Sequence, residues 1–259
     1  MRVVLKMGGA ALDDPELVRD FARATASLVK DGHRVAIVHG GGAALTRTLG
    51  ELGCESTFVD GLRVTDARTR DVAVMVLAGR LNQQLVAAIA TAGCPALGMG
   101  GGDLGILRAE KKLGPRDLGF VGEICAVDWR WIDLLWSHGA TPVIASIALG
   151  LDGEYYNVNA DEVASACAVA CNADALVYLT DVPGVNGADG AVIRRLEAER
   201  VAAMIRQSTV SGGMLPKLAA CTHALQRGVG RVRIMPAARV DALCAFLAGA
   251  AGCGTEVVV

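Results

Sequence analysis

The sequence predicts an α/β fold, a parallel sheet covered by helices, and three observations carry the prediction. Short apolar runs alternate with helical patterns from the first residues onward, in the order strand, helix, strand, helix. Glycine-rich loops stand where apolar runs end: "KMGGA" at 6–10, "HGGGA" at 39–43, "GMGGGD" at 98–103 and "SGGMLPK" at 211–217. The composition is globular, with 53% hydrophobic and 20% charged residues, and a 4% aromatic share leaves the core mainly to Ala, Val and Leu. At 259 residues the chain has room for one large α/β unit or for two lobes, and a composition shift near residue 172 is the best place to divide one sheet into lobes.

Each element has its own local reason. "VVLKM" reads as a buried strand. In the stretch after it, Leu17, Phe21, Ala24 and Leu28 recur at helical spacing, Asp14 can cap the helix, Pro15 suits its first turn and Gly32 follows its end. "RVAIVH" is the next strand and "GGGAALTRTLGEL" the next helix. "ESTFVDGLRVT" reads as two short extended pieces about the Asp60-Gly61 turn. Residues 66–93 form a long helical stretch, "ILRAEKK" and "GFVGEICAVD" short strands, "WRWIDLLWSHG" a helix and "TPVIASI" a strand. An Ala-rich helix over "ADEVASACAVACNA", the strand "ALVYLT" and the loop "DVPGVNGADG" follow. Helices near 196–206 and 214–227 and the strand "RVRIM" complete the pattern, with "RRLEAER" (194–200) as a solvated helix face.

Several classes of function are disfavoured. The formal charge of −2 offers no basic field for nucleic acid or an anionic membrane. No run approaches the roughly 20 apolar residues of a membrane span, and no leader pattern opens the chain, so the expected location is cytoplasmic. The eight cysteines are scattered without a CxxC pair, which predicts buried small side chains and no zinc site. There is no GxxxxGK[ST] P-loop, no GxSxG elbow to accompany "HGGG", and no GxGxxG fingerprint after the first strand. His39 reads as a structural hydrogen-bonding residue; Trp129, Trp131 and Trp136 read as packing residues.

The remaining chemistry lies in the glycines and two lysines. Glycine at strand ends lets backbone N–H groups approach phosphate oxygens without a Cβ in the way. Lys6 closes the first strand, and Lys217 follows the last glycine pair. Asp161 sits in "NVNADE", where a helix begins. It, or Asn159, can be a helix cap; alternatively Asp161 is a carboxylate held between the two lysines. Two ammonium groups with an organising carboxylate suit phosphoryl transfer, which is mostly positioning and charge neutralisation.

The segments "KMGG", "VHGGG", "GLRVT", "DLGFVGEI", "NVNADE", "LTDVPGV" and "GGMLPK" occur in this order over nearly the whole chain. In this the sequence resembles the N-acetyl-L-glutamate kinases of the amino-acid kinase family. The resemblance implies an open αβα sandwich around one mainly parallel sheet. It implies an N-terminal lobe, about 1–172, for the acyl substrate and a homodimer contact, and a C-terminal lobe, about 173–259, for ATP with Mg2+, the metal held mainly by the nucleotide phosphates. It further implies transfer of phosphate from ATP to the γ-carboxylate of N-acetyl-L-glutamate, the second step of the acetylated arginine route. The alternatives are an N-acetyl-L-aminoadipate or carrier-linked acceptor, or a non-catalytic amino-acid sensor of the same fold.

By position, the resemblance makes Lys6 and Lys217 the charge-neutralising pair and Asp161 their organiser. Gly8, Gly9 and Gly42 would meet the phosphates, and Gly41 and Gly42 would border the acyl substrate. Arg63 would pair with a substrate carboxylate, and Asn157 would bind near the α-carboxylate. Asp181, Val182, Pro183, Gly184, Val185 and Asn186, with Thr209, Val210 and Ser211, would line the nucleotide. Two features depart from the pattern: "GMGGGDLGIL" replaces a Gly-x-Asp-Gly-x-Leu stretch, and Tyr155-Tyr156 precedes "NVNAD". Arginine-inhibited members carry an extra helix before the first strand. This sequence leaves no room for one, so a homodimer with little arginine inhibition is expected.

Overall fold

The apolar run Arg2–Met7 is β-strand β1, and its alternation of side chains decides the two faces of the molecule. Val3, Leu5 and Met7 enter one core cluster and Val4 the other. Lys6 therefore projects on the Val4 face. A computed structural model of the chain describes residues 1–187, 189–207, 212–250 and 252–259.

In chain order the further strands are β2 (Arg34–His39), β3 (Phe58–Val59), β4 (Leu62–Arg63), β5 (Ala96–Met99), β6 (Leu107–Lys111), β7 (Val121–Val127) and β8 (Thr141–Ala145). They continue as β9 (Ile147–Gly150), β10 (Tyr155–Val158), β11 (Ala175–Thr180), β12 (Arg195–Glu197), β13 (Arg231–Pro236) and β14 (Thr255–Val258). Eight of them form one sheet in the order β12-β14-β13-β11-β1-β2-β8-β5, parallel throughout except for the β13–β14 pair. Helices cover both faces. Pro15–Lys30 and the Asn82–Thr91 turns pack on the Leu5 face; Trp129–Ser137, Ala160–Ala170 and Met214–Gln226 pack on the Lys6 face. This is the sandwich around a mainly parallel sheet that the sequence implied.

Local chemistry explains the elements that were legible. Asp14 accepts hydrogen bonds from the N–H groups of Glu16 and Leu17, and Pro15 opens the helix. The buried stripe of that helix is Val18, Phe21, Ala22, Thr25 and Leu28, turned slightly from the stripe expected through Leu17 and Ala24. Asp60 and Gly61 both adopt positive φ, 50° and 80°, as a tight two-residue hairpin turn between β3 and β4 requires.

Other elements correct the sequence reading. "RRLEAER" is not a helix face: Arg195–Glu197 is strand β12 with Leu196 buried, and the helix begins at Ala198. The short strands β5, β9, β10 and β14, the turns at Ala237–Ala242 and the Leu243–Leu247 helix are further elements that the sequence pattern does not predict. Strands β10, β7, β6 and β9 close into a small barrel beside the sheet. The Tyr155-Tyr156 pair belongs to it. Tyr156 is buried and donates its hydroxyl to Asp152 at 2.7 Å, while the Tyr155 ring covers Gly102 so closely that a Cβ there would meet its hydroxyl at 2.2 Å. The long helix Ala67–Thr91 widens to π geometry over Val74–Leu81. By length and composition it could cross a membrane, but Val72, Val76, Leu77, Leu81, Leu85 and Ile89 are buried in the protein's own core.

Candidate active site

Three charged side chains, far apart in sequence, meet on the Lys6 face of the sheet. The Lys6 Nζ lies 2.8 Å from Asp161 Oδ1. The Lys217 Nζ donates to Asp161 Oδ1 at 3.0 Å and to Oδ2 at 2.9 Å. All three residues are 6–7% exposed. Asp161 is not the helix cap: Asn159 takes that role, accepting from the Asp161 and Glu162 N–H groups. That frees the Asp161 carboxylate for the lysines. Tyr178, the register partner of Lys6 on β11, donates its hydroxyl to the Asp161 carbonyl at 3.1 Å, and its ring lies 5.2 Å from the Lys217 ammonium.

The electrostatics follow from the count of charges. Burial raises the Asp161 pKa, but the fields and hydrogen bonds of the two lysines outweigh it and hold the carboxyl below its ordinary value. Burial lowers the Lys6 pKa; Asp161 opposes that shift, and Lys217 adds to it. Two cations share one anion in a nearly dry place, so the cluster carries one net positive charge. A buried surplus of charge is costly without a counterion, and a phosphoryl group would supply it. Gly8 keeps the approach open, since a Cβ there would stand 2.2 Å from the Lys6 ammonium. Gly9 begins a short 3-10 turn, Gly9–Leu12, directly after it.

Two members of the cluster, Lys6 and Asp161, line a cleft of about 200 Å³ that also holds Gly8, Gly41, Gly42, Arg63 and Asn157; Lys217 reaches it through Asp161. The structure thus brings together every residue assigned from sequence to the acyl-substrate side. Arg63 is buried and donates to Ser56 Oγ, to Thr46 Oγ1 at 2.7 Å and to the Gly42 carbonyl at 3.1 Å. Its guanidinium also stacks 4.6 Å from the Phe58 ring centre. Among the described residues no carboxylate pairs with it, so a buried cation faces the cleft with only neutral partners. Asn157 donates to Thr65 Oγ1 at 3.3 Å. Gly41 is the residue before the Gly42–Glu51 helix, at φ 156°.

The nucleotide-side assignments fare differently. Asp181 is exposed just beyond β11, accepts from Thr180 Oγ1 at 3.0 Å, and its field reaches Lys6. Val182 and Pro183 continue the same turn, and Asn186 forms an isolated bridge to Val192. Gly184 and Val185 are buried; Val185 packs in the core and gives its N–H to Thr255 Oγ1 at 2.8 Å. These two shape the turn. Thr209, Val210 and Ser211 lie outside the described residues. Sequence reasoning missed Ser146, Leu45, Leu62 and Val121 in the cleft wall, and the Thr46 and Ser56 hydroxyls behind Arg63. An isolated apolar or hydroxyl side chain carries no local pattern that marks a ligand.

Comparison with known proteins agrees with this geometry. The model of the amino acid kinase family matches residues 1–236. A protein of Acidobacterium capsulatum called acetylglutamate kinase is 58% identical over 258 residues, covering 100% of this chain and 99% of its own. Its namesake from Koribacter versatilis is also 58% identical, with the same coverage. Among solved structures, a Streptococcus mutans protein superposes with a TM-score of 0.85 at 27% identity, over 99% of this chain and 98% of its own. The N-acetylglutamate synthase of Neisseria gonorrhoeae, at 23% identity, shares the fold: its TM-score is 0.88, over 100% of this chain and 59% of that one. With the family model covering residues 1–236 of the 259, the chain belongs to the amino acid kinase family.

Proposed function

We propose that the protein is an acetylglutamate kinase whose reaction centre is the Lys6–Asp161–Lys217 cluster. It transfers the γ-phosphate of ATP to the γ-carboxylate of N-acetyl-L-glutamate, giving the 5-phosphate and ADP, as the names of its 58%-identical relatives support. The observation that carries the site assignment is one buried carboxylate holding two ammonium groups at 2.8–3.0 Å, with Lys6 and Asp161 lining a cleft that also contains Arg63, which has no carboxylate partner among the described residues. In-line phosphoryl transfer spreads charge over oxygens on both sides of the moving phosphorus. Two positioned ammonium groups neutralise it without rearranging. Lys6 serves the transferring group and Lys217 the leaving side. The N–H groups of Gly9 and Gly42 donate to the phosphoryl oxygens, Gly8 admits it, and Arg63 and Asn157 hold the acceptor beside Gly41.

ATP would be bound with Mg2+, which the nucleotide phosphates would mainly hold and which would supply further charge neutralisation. The donor set fits: both Asp161 oxygens are taken by lysines, while the exposed Asp181 carboxylate at the turn beyond β11 accepts, among the described residues, from Thr180 through Oδ1 only. ATP lies along residues 181–186 of the C-terminal lobe, about 173–259, and the acyl substrate in the N-terminal lobe, about 1–172. The assembly is a homodimer in the cytoplasm. Strand β5 supports the dimer, because it is a sheet edge carrying exposed Leu97.

The test is ADP release by the purified protein with N-acetyl-L-glutamate, N-acetyl-L-aminoadipate and unacetylated glutamate, together with hydroxylamine trapping of the acyl phosphate. N-acetyl-L-glutamate should give the highest kcat/KM. A higher value on the longer acceptor would transfer the assignment to aminoadipate, and no ADP release on any of them would leave a sensor.

A further inference from the structure

Behind the glycine loop lies a buried polar chain that the proposed chemistry does not use. His39 ends β2 and Asn82 follows the π-helical segment; both are fully buried. The Asn82 amide Nδ2 lies 3.1 Å from His39 Nε2 and donates to the Val143 carbonyl at 2.9 Å. Turning the amide over would set its oxygen against that carbonyl, so the nitrogen faces both partners. An amide nitrogen can only donate, so His39 Nε2 accepts and the imidazole proton sits on Nδ1. Nδ1 lies 2.9 Å from the carbonyl oxygen of Gly40, which can only accept. The two contacts thus demand the same tautomer.

A trans peptide points its C=O and its N–H in opposite directions. His39 holds the Gly40 carbonyl inward, so the Gly41 N–H of the same peptide points away from the buried ring. No backbone acceptor among the described residues takes that N–H. Leu77 and Leu81, both in the π segment, press on Gly41 from behind; a Cβ on Gly41 would stand 2.2 Å from Leu81 Cδ1 and 2.8 Å from Leu77 Cδ2. The widened turn and the Asn82 amide therefore act on one peptide.

We propose that Asn82 and His39 are positioning residues for phosphoryl transfer, fixing the Gly40–Gly41 peptide so that the Gly41 N–H is presented to the cleft as an oxyanion donor. The inference rests on the kinase reading of the cleft. Burial also lowers the His39 pKa to about 4, which keeps the ring neutral and able to accept from Asn82. Among the described residues Asn82 Oδ1 has no hydrogen-bond partner, and it lies over Gly98. The side chain is thus held by its nitrogen contacts alone.

Two substitutions at position 39 separate positioning from packing. His39→Asn keeps a donor where Nδ1 stood, and His39→Gln keeps a group where Nε2 stood. His39→Gln and Asn82→Ala should each lower kcat by on the order of tenfold or more, with the KM for ATP little changed. His39→Asn should stay within about threefold of wild type on the same scale. A packing role alone would lower the melting temperature of all three and leave the kcat of the folded enzyme intact, which would overturn the proposal. Equal kcat for the two His39 variants would also overturn it. A second arm needs no turnover. Nitrogen-15 NMR of the wild type should show His39 protonated on Nδ1, and the Gly41 amide resonance should move in Asn82→Ala and His39→Gln but not in His39→Asn. Protonation on Nε2, or an unmoved Gly41 resonance in all variants, contradicts the relay. Failure of the wild type to phosphorylate N-acetyl-L-glutamate would instead count against the kinase reading.

Discussion

Arg63 shows what a single residue can carry. Its guanidinium is buried and bound by two hydroxyls and a carbonyl, all neutral, and burial lowers its pKa without displacing its charge. A cation desolvated in this way gains most from an incoming carboxylate, bidentate if the fork is free to turn. Arg63→Ala should therefore raise the KM for N-acetyl-L-glutamate by ten- to a hundredfold, the equivalent of losing about 1.5–3 kcal/mol for a charge-assisted pair. The KM for ATP should stay near its original value. Steady-state kinetics with each substrate varied in turn measures both, and a shift confined to ATP would put Arg63 on the wrong side of the cleft.

Elements differ in how plainly the sequence announces them. The Pro15–Lys30 helix has a cap, a proline and a stripe, and the β3–β4 hairpin has Asp60-Gly61 at its turn; each is a local signal, and each was legible. Strand β12 is three residues long and β5 four, too short for any periodicity, and their pairing with β14 and β8 is a tertiary fact. The same limit hid Asn82. A mid-helix asparagine looks like a surface residue until the π-helical turn and the end of β2 bring it to His39. By contrast, a structural hydrogen-bonding role for His39 at the end of an apolar strand could be read, and its burial in the fold has a measurable consequence for β2. Its pKa falls from 6.5 to about 4, mainly through burial; the Gly40 hydrogen bond opposes the shift and the Lys6 field adds to it. The folded protein thus resists a proton that the unfolded chain accepts. The stability involved is intact above pH 6.5 and is lost as pH falls towards 4, at a cost of about 2 kcal/mol between pH 7 and pH 5. Urea unfolding at the two pH values should show that loss, and His39→Asn should flatten it. A stability independent of pH over that range would mean that His39 is not buried neutral.

At the scale of the whole molecule, the account turns on one meeting point. Lys6 comes from the first strand, Asp161 from the start of the Ala160–Ala170 helix and Lys217 from the Met214–Gln226 helix. The parallel order β11-β1-β2 places the carboxyl ends of these strands side by side, where α/β sheets bind ligands. The glycine loops and both lysines could be read from the sequence because strand ends and glycines are local. The choice between cap and organiser for Asp161 could not, since only the fold shows Asn159 capping and Asp161 turned to the lysines. That choice is also the most direct place to test the account. Asp161→Asn keeps the size of the side chain and leaves the Asn159 cap in place, but removes the charge that orients both ammonium groups. The measurement is kcat for N-acetyl-L-glutamate phosphorylation alongside the melting temperature. The account predicts a fall in kcat on the order of a hundredfold or more in an enzyme that still folds, matched by Lys6→Met and Lys217→Met. In the double lysine variant the loss should be smaller than the product of the single losses, because the groups act as a unit. A folded Asp161→Asn enzyme with near-normal kcat would contradict it.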